Sequence, residues 1–273
     1  MPGSLLHVSD LHTGTREDPA VEQALSGLVR RLGPELIVAS GDLTHRGRRE
    51  QHERAAAFLH SLGAPVLAVP GNHDMPYTFP ARFTRTFEDF ERVWQTTEPT
   101  HSSPTFHVVG LNSARPFRHQ AGALRGRQLD DAAARLRAAP DSAYRVVALH
   151  HHMIGAPWRA SRKRPVSHRN RVLRQLVAAG ADLILAGHIH QAAVSERHEF
   201  EVVSGDVRAA VVSIAPGLGQ PRPNRLGEAR GLHVYEPSEH ALTIHTYIWR
   251  DDDWGLTAQR VFPRGLGPLA VER

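Results

Sequence analysis

The chain contains no cysteine, which excludes disulfides, thiolate metal ligands and cysteine nucleophiles. Lys163 is the only lysine, so arginine carries nearly all the basic charge, and aromatic residues make up only 6% of the 273 positions. No apolar run approaches the ~18 residues of a membrane-spanning helix. The opening MPGSLLHVSD has no basic leader followed by a long apolar segment. These absences point to a soluble, cytoplasmic protein with no membrane partner. The sequence also lacks internal repeats and low-complexity linkers.

What is present is a globular composition, 41% hydrophobic and 22% charged, long enough for one large core or two small ones. With thiolates excluded, any metal must be held by His, Asp, Glu or Asn, and the chain carries 19 histidines. The formal charge of +5 and sequence pI of about 10.3 suit anionic ligands. An arginine- and alanine-rich composition also arises in GC-rich genomes, so basicity alone does not signal nucleic acid.

Short apolar runs alternate with stretches of helical period. The pattern predicts strands near 4–8, 36–40, 65–69, 106–111, 145–149 and 182–186, and helices near 18–32, 48–62, 80–95, 126–139 and 168–179. That order implies βαβ units and a mostly parallel sheet. After Gly187 the helices stop. AAVVSIA, GLHVYE and ALTIHTYIW read as strands of a second, more antiparallel sheet packed on the first. Residues 1–250 read as a single domain, and the Gly-, Pro- and charge-rich segment 251–273 as a C-terminal tail.

The chemistry gathers where the apolar runs end. LLHVSDLH delivers Asp10 and His12, LIVASGD delivers Asp42, and VLAVPGNHD delivers Asn72, His73 and Asp74. RVVALHHH delivers His150, His151 and His152, and LILAGHIH delivers His188 and His190. Taken alone, GNHD would be a polar turn. Five such endings, aligned on one edge of a parallel sheet, would instead converge where open α/β folds bind ligands. Residues two apart in an extended segment share a side, so Asp10 with His12, and His188 with His190, can grip a common centre.

The ordered set DLH (10–12), GD (41–42), GNHD (71–74), a later strand-end His150 and GHIH (187–190) resembles the calcineurin-like metallophosphoesterase superfamily. The resemblance implies a four-layer α/β/β/α sandwich, with two mixed sheets flanked by helices and the active site at strand C-terminal ends. It further implies a binuclear centre of two divalent or trivalent ions, Mn, Fe or Zn. Asp10, His12 and His190 would hold one ion, Asn72, His150 and His188 the other, and Asp42 would bridge them. Two such ions can hold a bridging hydroxide and clamp a phosphoryl group for in-line attack. With only two carboxylates among the ligands, the centre stays positive, which suits a diester monoanion.

The same resemblance places His73 beside the phosphate, where it either donates a proton to the departing oxygen or hydrogen-bonds the phosphoryl group. Asp74 either orients that imidazole or stabilises the turn. Arg46, in GDLTHRG, is a candidate phosphate contact or a solvated arginine at a helix entry. His45 replaces the aspartate of the similar motif in phosphoprotein phosphatases, which argues against a protein substrate. His151 and His152 either line the pocket or cap the turn. His7, His107, His233 and His245 fall on strands and read as structural, and His168 as a helix flank.

Size and layout look most like the bacterial class III cyclic nucleotide phosphodiesterases, so the substrate class implied is a cyclic or related nucleotide diester. The alternative is a nuclease or nucleic-acid end-processing enzyme, suggested by WRASRKRPVSHRNRVLR (158–174), a run without an acidic residue. The segment 216–231 is a further candidate pocket wall through Arg222 or Arg225. A phosphomonoesterase or a non-catalytic metal-bound scaffold ranks behind these. A scaffold would be expected to have lost ligands, whereas every motif position here is filled.

Overall fold

Runs in which every residue is buried lie at the centre of the protein, and alternate residues of each run pack to opposite sides. The structure is a computed structural model describing residues 3–15, 18–118, 120–153, 163–190, 200–204, 209–219 and 230–264. One sheet contains β1 (Leu5–Val8), β2 (Leu36–Ala39) and β3 (Val66–Ala68), followed much later in the chain by β10 (Gly231–Pro237), β11 (Ala241–Arg250) and β12 (Asp253–Pro263). The other contains β4 (Thr100–Ser102), β5 (Phe106–Gly110), β6 (Tyr144–Ala148), β7 (Leu183–Ala186), β8 (Phe200–Ser204) and β9 (Ala209–Ile214). Strand orders are β12-β11-β10-β1-β2-β3 and β4-β5-β6-β7-β9-β8.

Three apolar clusters account for the layering. Leu5, Leu36, Val38 and Leu67 of the first sheet meet Val108, Tyr144, Val146 and Leu183 of the second between the two sheets. Their neighbours in sequence face outward: Leu6, Val8 and Ile37 pack with Leu25, Leu28 and Leu59, which lie on helices α1 (Pro19–Leu32) and α2 (Arg49–Ser61). Val109, Val147 and Ile184 pack with Leu129, Leu136, Val172 and Leu176, which lie on α5 (Gly126–Arg137) and α6 (Arg169–Ala178). A strand covered on both faces reads as a continuous apolar run, as these do. The result is the four-layer sandwich with two mixed sheets.

The helix signals match local chemistry. Pro19 opens α1, where its missing N–H costs nothing, and Gly33 closes it in the left-handed conformation at φ 56°. The helix expected over 80–95 is instead two short ones, α3 (Ala81–Thr84) and α4 (Glu88–Trp94), separated by Arg85 at φ −136°, ψ 43°, outside the helical region. His168 precedes α6 at φ 55°.

The expected division into a parallel sheet and a later antiparallel one is incorrect. The parallel strands are shared between the sheets, with β1, β2 and β3 in one and β5, β6, β7 and β9 in the other. AAVVSIA extends the parallel set, while the hairpins β10 to β12 continue the sheet that begins with β1. The boundary drawn at residue 250 also fails, because β12 pairs with β11 from Asp253 to Pro263. Period-two patterning reports that a strand exists but not which strand lies beside it. No helix among the described residues is long and apolar enough to cross a membrane.

Candidate metal centre

The loops that leave β1 and β2 stay paired beyond the strands. Asp10 N–H donates to Gly41 O at 2.9 Å, His12 N–H to Asp42 O at 2.9 Å and Thr13 N–H to Leu43 O at 3.0 Å. To make these turns without glycine, Asp10, His12, Asp42, His188 and His190 all adopt positive φ, between 49° and 75°. Non-glycine residues rarely populate this region, and it is found preferentially where function requires it. Two glycines allow the loops to close on one another. A Cβ at Gly71 would lie 2.2 Å from Asp42 Oδ1, and one at Gly187 would lie 1.8 Å from Ser9 Oγ.

Each carboxylate has one oxygen anchored and one aimed at histidines. Asp10 Oδ2 accepts from Ser9 Oγ at 2.7 Å and from His188 N–H at 2.9 Å. Asp10 Oδ1 lies 3.0 Å from His190 Nε2 and 3.9 Å from His12 Nε2. Asp42 Oδ1 accepts from His73 N–H at 2.8 Å, while Oδ2 lies 3.3 Å from His150 Nε2 and 3.9 Å from His12 Nε2. Asp10, His12, Asp42 and His190 thus form one buried cluster and Asp42, His150 and His188 another, joined by Asp42.

The imidazoles are presented as ligands. His150 Nδ1–H donates to Ser40 O at 2.9 Å and His188 Nε2–H to Gln120 O at 3.2 Å. These bonds fix the tautomers and turn the other ring nitrogens, 3.1 Å apart, toward the centre. His12 Nε2 and His190 Nε2 lie 3.0 Å apart. Burial pushes His12 and His188 well below the ordinary histidine pKa, so they stay neutral with a lone pair available. Burial alone would also lower His150, but the Asp42 carboxylate outweighs it and pushes the group up to about 9. Burial would raise Asp10, but the adjacent His190 holds its carboxyl below the usual carboxylate range.

A metal fits this donor set. Both polar atoms of Asn72 are buried without a hydrogen-bond partner, and Asp10 Oδ1 and Asp42 Oδ2 face imidazole nitrogens of His190 and His150, a costly arrangement unless a cation uses them. Hard carboxylate oxygens with neutral imidazoles suit Mn, Fe or Zn. The buried clusters imply a binuclear centre.

The remaining candidates divide. His73 Nδ1–H donates to His45 O at 2.9 Å, and Tyr77 OH lies 3.1 Å from the same nitrogen. Asp74 binds backbone instead. Its Oδ1 accepts from Thr44 N–H at 2.8 Å and Thr44 Oγ1 at 2.9 Å, and its Oδ2 from Leu43 N–H at 3.1 Å and Gly71 N–H at 2.8 Å. Three of these bonds tie the loop after β2 to the loop after β3 and the fourth closes the turn from Gly71, and the His45 carbonyl, not Asp74, holds the His73 ring. Arg46 is exposed and lines an adjoining cavity of about 310 Å³ with Arg48, Tyr77, Arg85 and the carboxylates of Glu50, Glu88 and Asp89.

His151 and His152 are buried against the centre. The rings of His151 and His188 lie 4.6 Å apart, and those of His152 and His188 5.9 Å apart. His7 and His233 are buried, and His107 and His245 pair with Ser102 and Glu236. Arg159, Arg162, Arg222 and Arg225 lie outside the described residues. Sequence reasoning missed three supports: His45 as the acceptor for His73, Tyr77 on the same ring, and Gln120 as the acceptor for His188. Only His45 carried a signal, as the unusual residue of GDLTHRG; Tyr77 stands four residues after His73 outside any motif, and Gln120 acts through its backbone from a sequence-distant loop.

The model of the Calcineurin-like phosphoesterase family matches residues 3–192. A probable cyclic nucleotide phosphodiesterase of Synechococcus sp. is 29% identical over 212 residues, covering 71% of this chain and 76% of its own. The 3',5'-cyclic adenosine monophosphate phosphodiesterase CpdA of Pseudomonas aeruginosa is 28% identical over 268 residues, covering 91% and 90%. Among solved structures, the purple acid phosphatase PPD1 of yellow lupin (Lupinus luteus) shares the fold with a TM-score of 0.64 at 11% identity, over 95% of this chain and 53% of that one.

Proposed function

Because this chain belongs to the calcineurin-like phosphoesterase family, and is thus a metal-dependent phosphoesterase, we propose that it is a phosphodiesterase whose substrates are cyclic nucleotides or related nucleotide diesters. The observation that carries this reading is the pair of buried clusters sharing Asp42, each carboxylate with one oxygen anchored and the other turned inward. Asp10, His12 and His190 would hold one ion, Asn72, His150 and His188 the second, and Asp42 both. Bound there, two ions supply Lewis-acid polarisation of a phosphoryl oxygen and lower the pKa of water into the neutral range.

The chain's own groups supply the rest. His73 stands beside His12 with ring centroids 4.8 Å apart, at the edge of the first cluster. With Nδ1–H committed to the His45 carbonyl, a protonated His73 carries its second proton on Nε2 and delivers it to the departing oxygen. Arg46 on the adjoining rim adds positive potential for an anionic substrate. The two relatives described above, both named as cyclic nucleotide phosphodiesterases, support the same substrate class.

The test is hydrolysis by Mn²⁺-reconstituted protein of 3',5'-cyclic AMP, bis-p-nitrophenyl phosphate and p-nitrophenyl phosphate, with Asp42→Asn as control. Diesters are expected to be cleaved in preference to the monoester, and Asp42→Asn to lose both activity and metal. Protein with two metals bound that cleaves no diester would sink the proposal.

A further inference from the structure

Six large apolar side chains are exposed among the described residues, and four of them, Tyr77, Phe79, Phe83 and Phe117, belong to two adjoining segments. Phe79 and Phe117 are each 84% exposed. Phe83 lies between them, with ring centroids 4.8 Å from Phe117 and 6.3 Å from Phe79. Arg82 fastens the two segments together: its Nε–H donates to Pro116 O at 2.9 Å and its second guanidinium nitrogen to Pro76 O at 3.3 Å. The rings therefore form a supported ledge, and Tyr77 at its inner end touches His73.

Directly after Phe117 the chain enters a groove of about 550 Å³ lined by Arg118, Arg164, His168, Arg169 and Arg171, with no carboxylate among the described residues that line it. Its floor is the pairing of two segments, in which Arg164 N–H donates to Gln120 O at 3.2 Å and Ser167 N–H to Gly122 O at 2.9 Å. Gln120 O also accepts from His188, so the backbone beneath the groove supports one ring of the metal centre, as Tyr77 of the ledge supports His73. Exposed phenyl rings forfeit hydrophobic burial, and clustered guanidinium groups repel one another. One class of ligand relieves both costs: a polyanion carrying flat faces that stack. Duplex nucleic acid offers the charge but hides its base faces, and an acidic peptide offers the charge without regular planar groups.

We infer that this ledge and groove bind single-stranded nucleic acid, with bases stacked on the rings of Phe79, Phe83 and Phe117 and phosphates along Arg118, Arg164, Arg169 and Arg171. The inference goes beyond the cyclic nucleotide reading and does not depend on it.

The experiment is fluorescence polarisation of the full-length, Mn²⁺-loaded protein with a labelled, phosphorothioate-linked thymidine 12-mer, which resists hydrolysis. Four phosphate contacts to a single strand predict binding roughly 50-fold weaker at 200 mM than at 50 mM salt. The double variant Phe79→Ala/Phe117→Ala is expected to weaken binding about tenfold or more through lost stacking. Arg169→Glu/Arg171→Glu should weaken it further and flatten the salt dependence by about half. Both variants should hydrolyse bis-p-nitrophenyl phosphate as the parent does, so a failure here is distinct from a failure of the phosphodiesterase reading. Absent binding at 50 mM salt, equal affinity for a 12-base-pair duplex, or parental affinity in the phenylalanine variant would each overturn the inference. So would a concentration-dependent dimer in sedimentation that Phe117→Ala dissolves, because the ledge would then be a self-interface.

Discussion

Replacing Asp74 by alanine separates two accounts of the GNHD motif. In the structure the carboxylate is 1% exposed and accepts hydrogen bonds from three backbone amides, of Leu43, Thr44 and Gly71, and from the Thr44 hydroxyl. A buried hydrogen bond to a charged acceptor contributes about 1.5–3 kcal/mol, and an amide left unpaired costs about 1–3. Discounting for strong coupling among the four and for water entering the gap, the loss comes to roughly 4 kcal/mol. For a chain of this size that corresponds to a melting temperature lower by about 8–15 °C. Urea unfolding of the metal-loaded protein measures it directly, and kcat measured well below the transition should fall far less than in a His73 variant. A stability change below about 1 kcal/mol together with a hundredfold loss of kcat would refute the structural role and return Asp74 to the chemistry.

Three further outcomes are expected. His73→Gln should lower kcat about 100-fold or more while the protein still binds two metals, measured by elemental analysis; a large loss of metal would make His73 a ligand rather than a proton donor. Gly187→Ala places a methyl group against Ser9 Oγ and within 2.7 Å of Asp10 Oδ2, so weakened metal binding is expected in isothermal titration, and unaltered affinity would mean that the strand ends tolerate movement. Burial pushes His233 down from an ordinary 6.5 to about 4. The unfolded chain then takes up a proton that the folded chain refuses, so stability is complete above about pH 6.5, falls as pH drops, and levels off near pH 4, a total of roughly 3 kcal/mol. His233→Gln should flatten that slope in urea titrations between pH 7 and 4, and an unchanged slope would locate the titration elsewhere.

The sequence displays its strand ends clearly because buried strands on both faces leave uninterrupted apolar runs, and the polar residues that close those runs stand out. Asp10, His12, Asp42, His150, His188 and His190 were all legible in this way, and the structure gathers them into two clusters. Sheet membership was not legible, since β9 and β10 are both short runs buried along nearly their whole length yet belong to different sheets. The division of labour around His73 was equally hidden. The His45 carbonyl and Asp74 are adjacent to it in space, but which one holds the ring depends on backbone direction in a loop some thirty residues earlier. Backbone acceptors such as Gln120 O leave no trace in residue type at all.

The placement of the clusters across two sheets has a mechanical consequence. Asp10, His12 and Asp42 follow strands of one sheet, and His150, His188 and His190 follow strands of the other. Each ion held as proposed would therefore act as a rivet through both layers at the rim of the inter-sheet core. Affinity for metal and resistance to separation of the layers become one thermodynamic quantity, growing as the logarithm of free metal over its dissociation constant. A chelator would then do more than switch off catalysis. It would release the clamp at one end of the sandwich, and amide exchange should quicken first at the ends of β1, β2, β6 and β7.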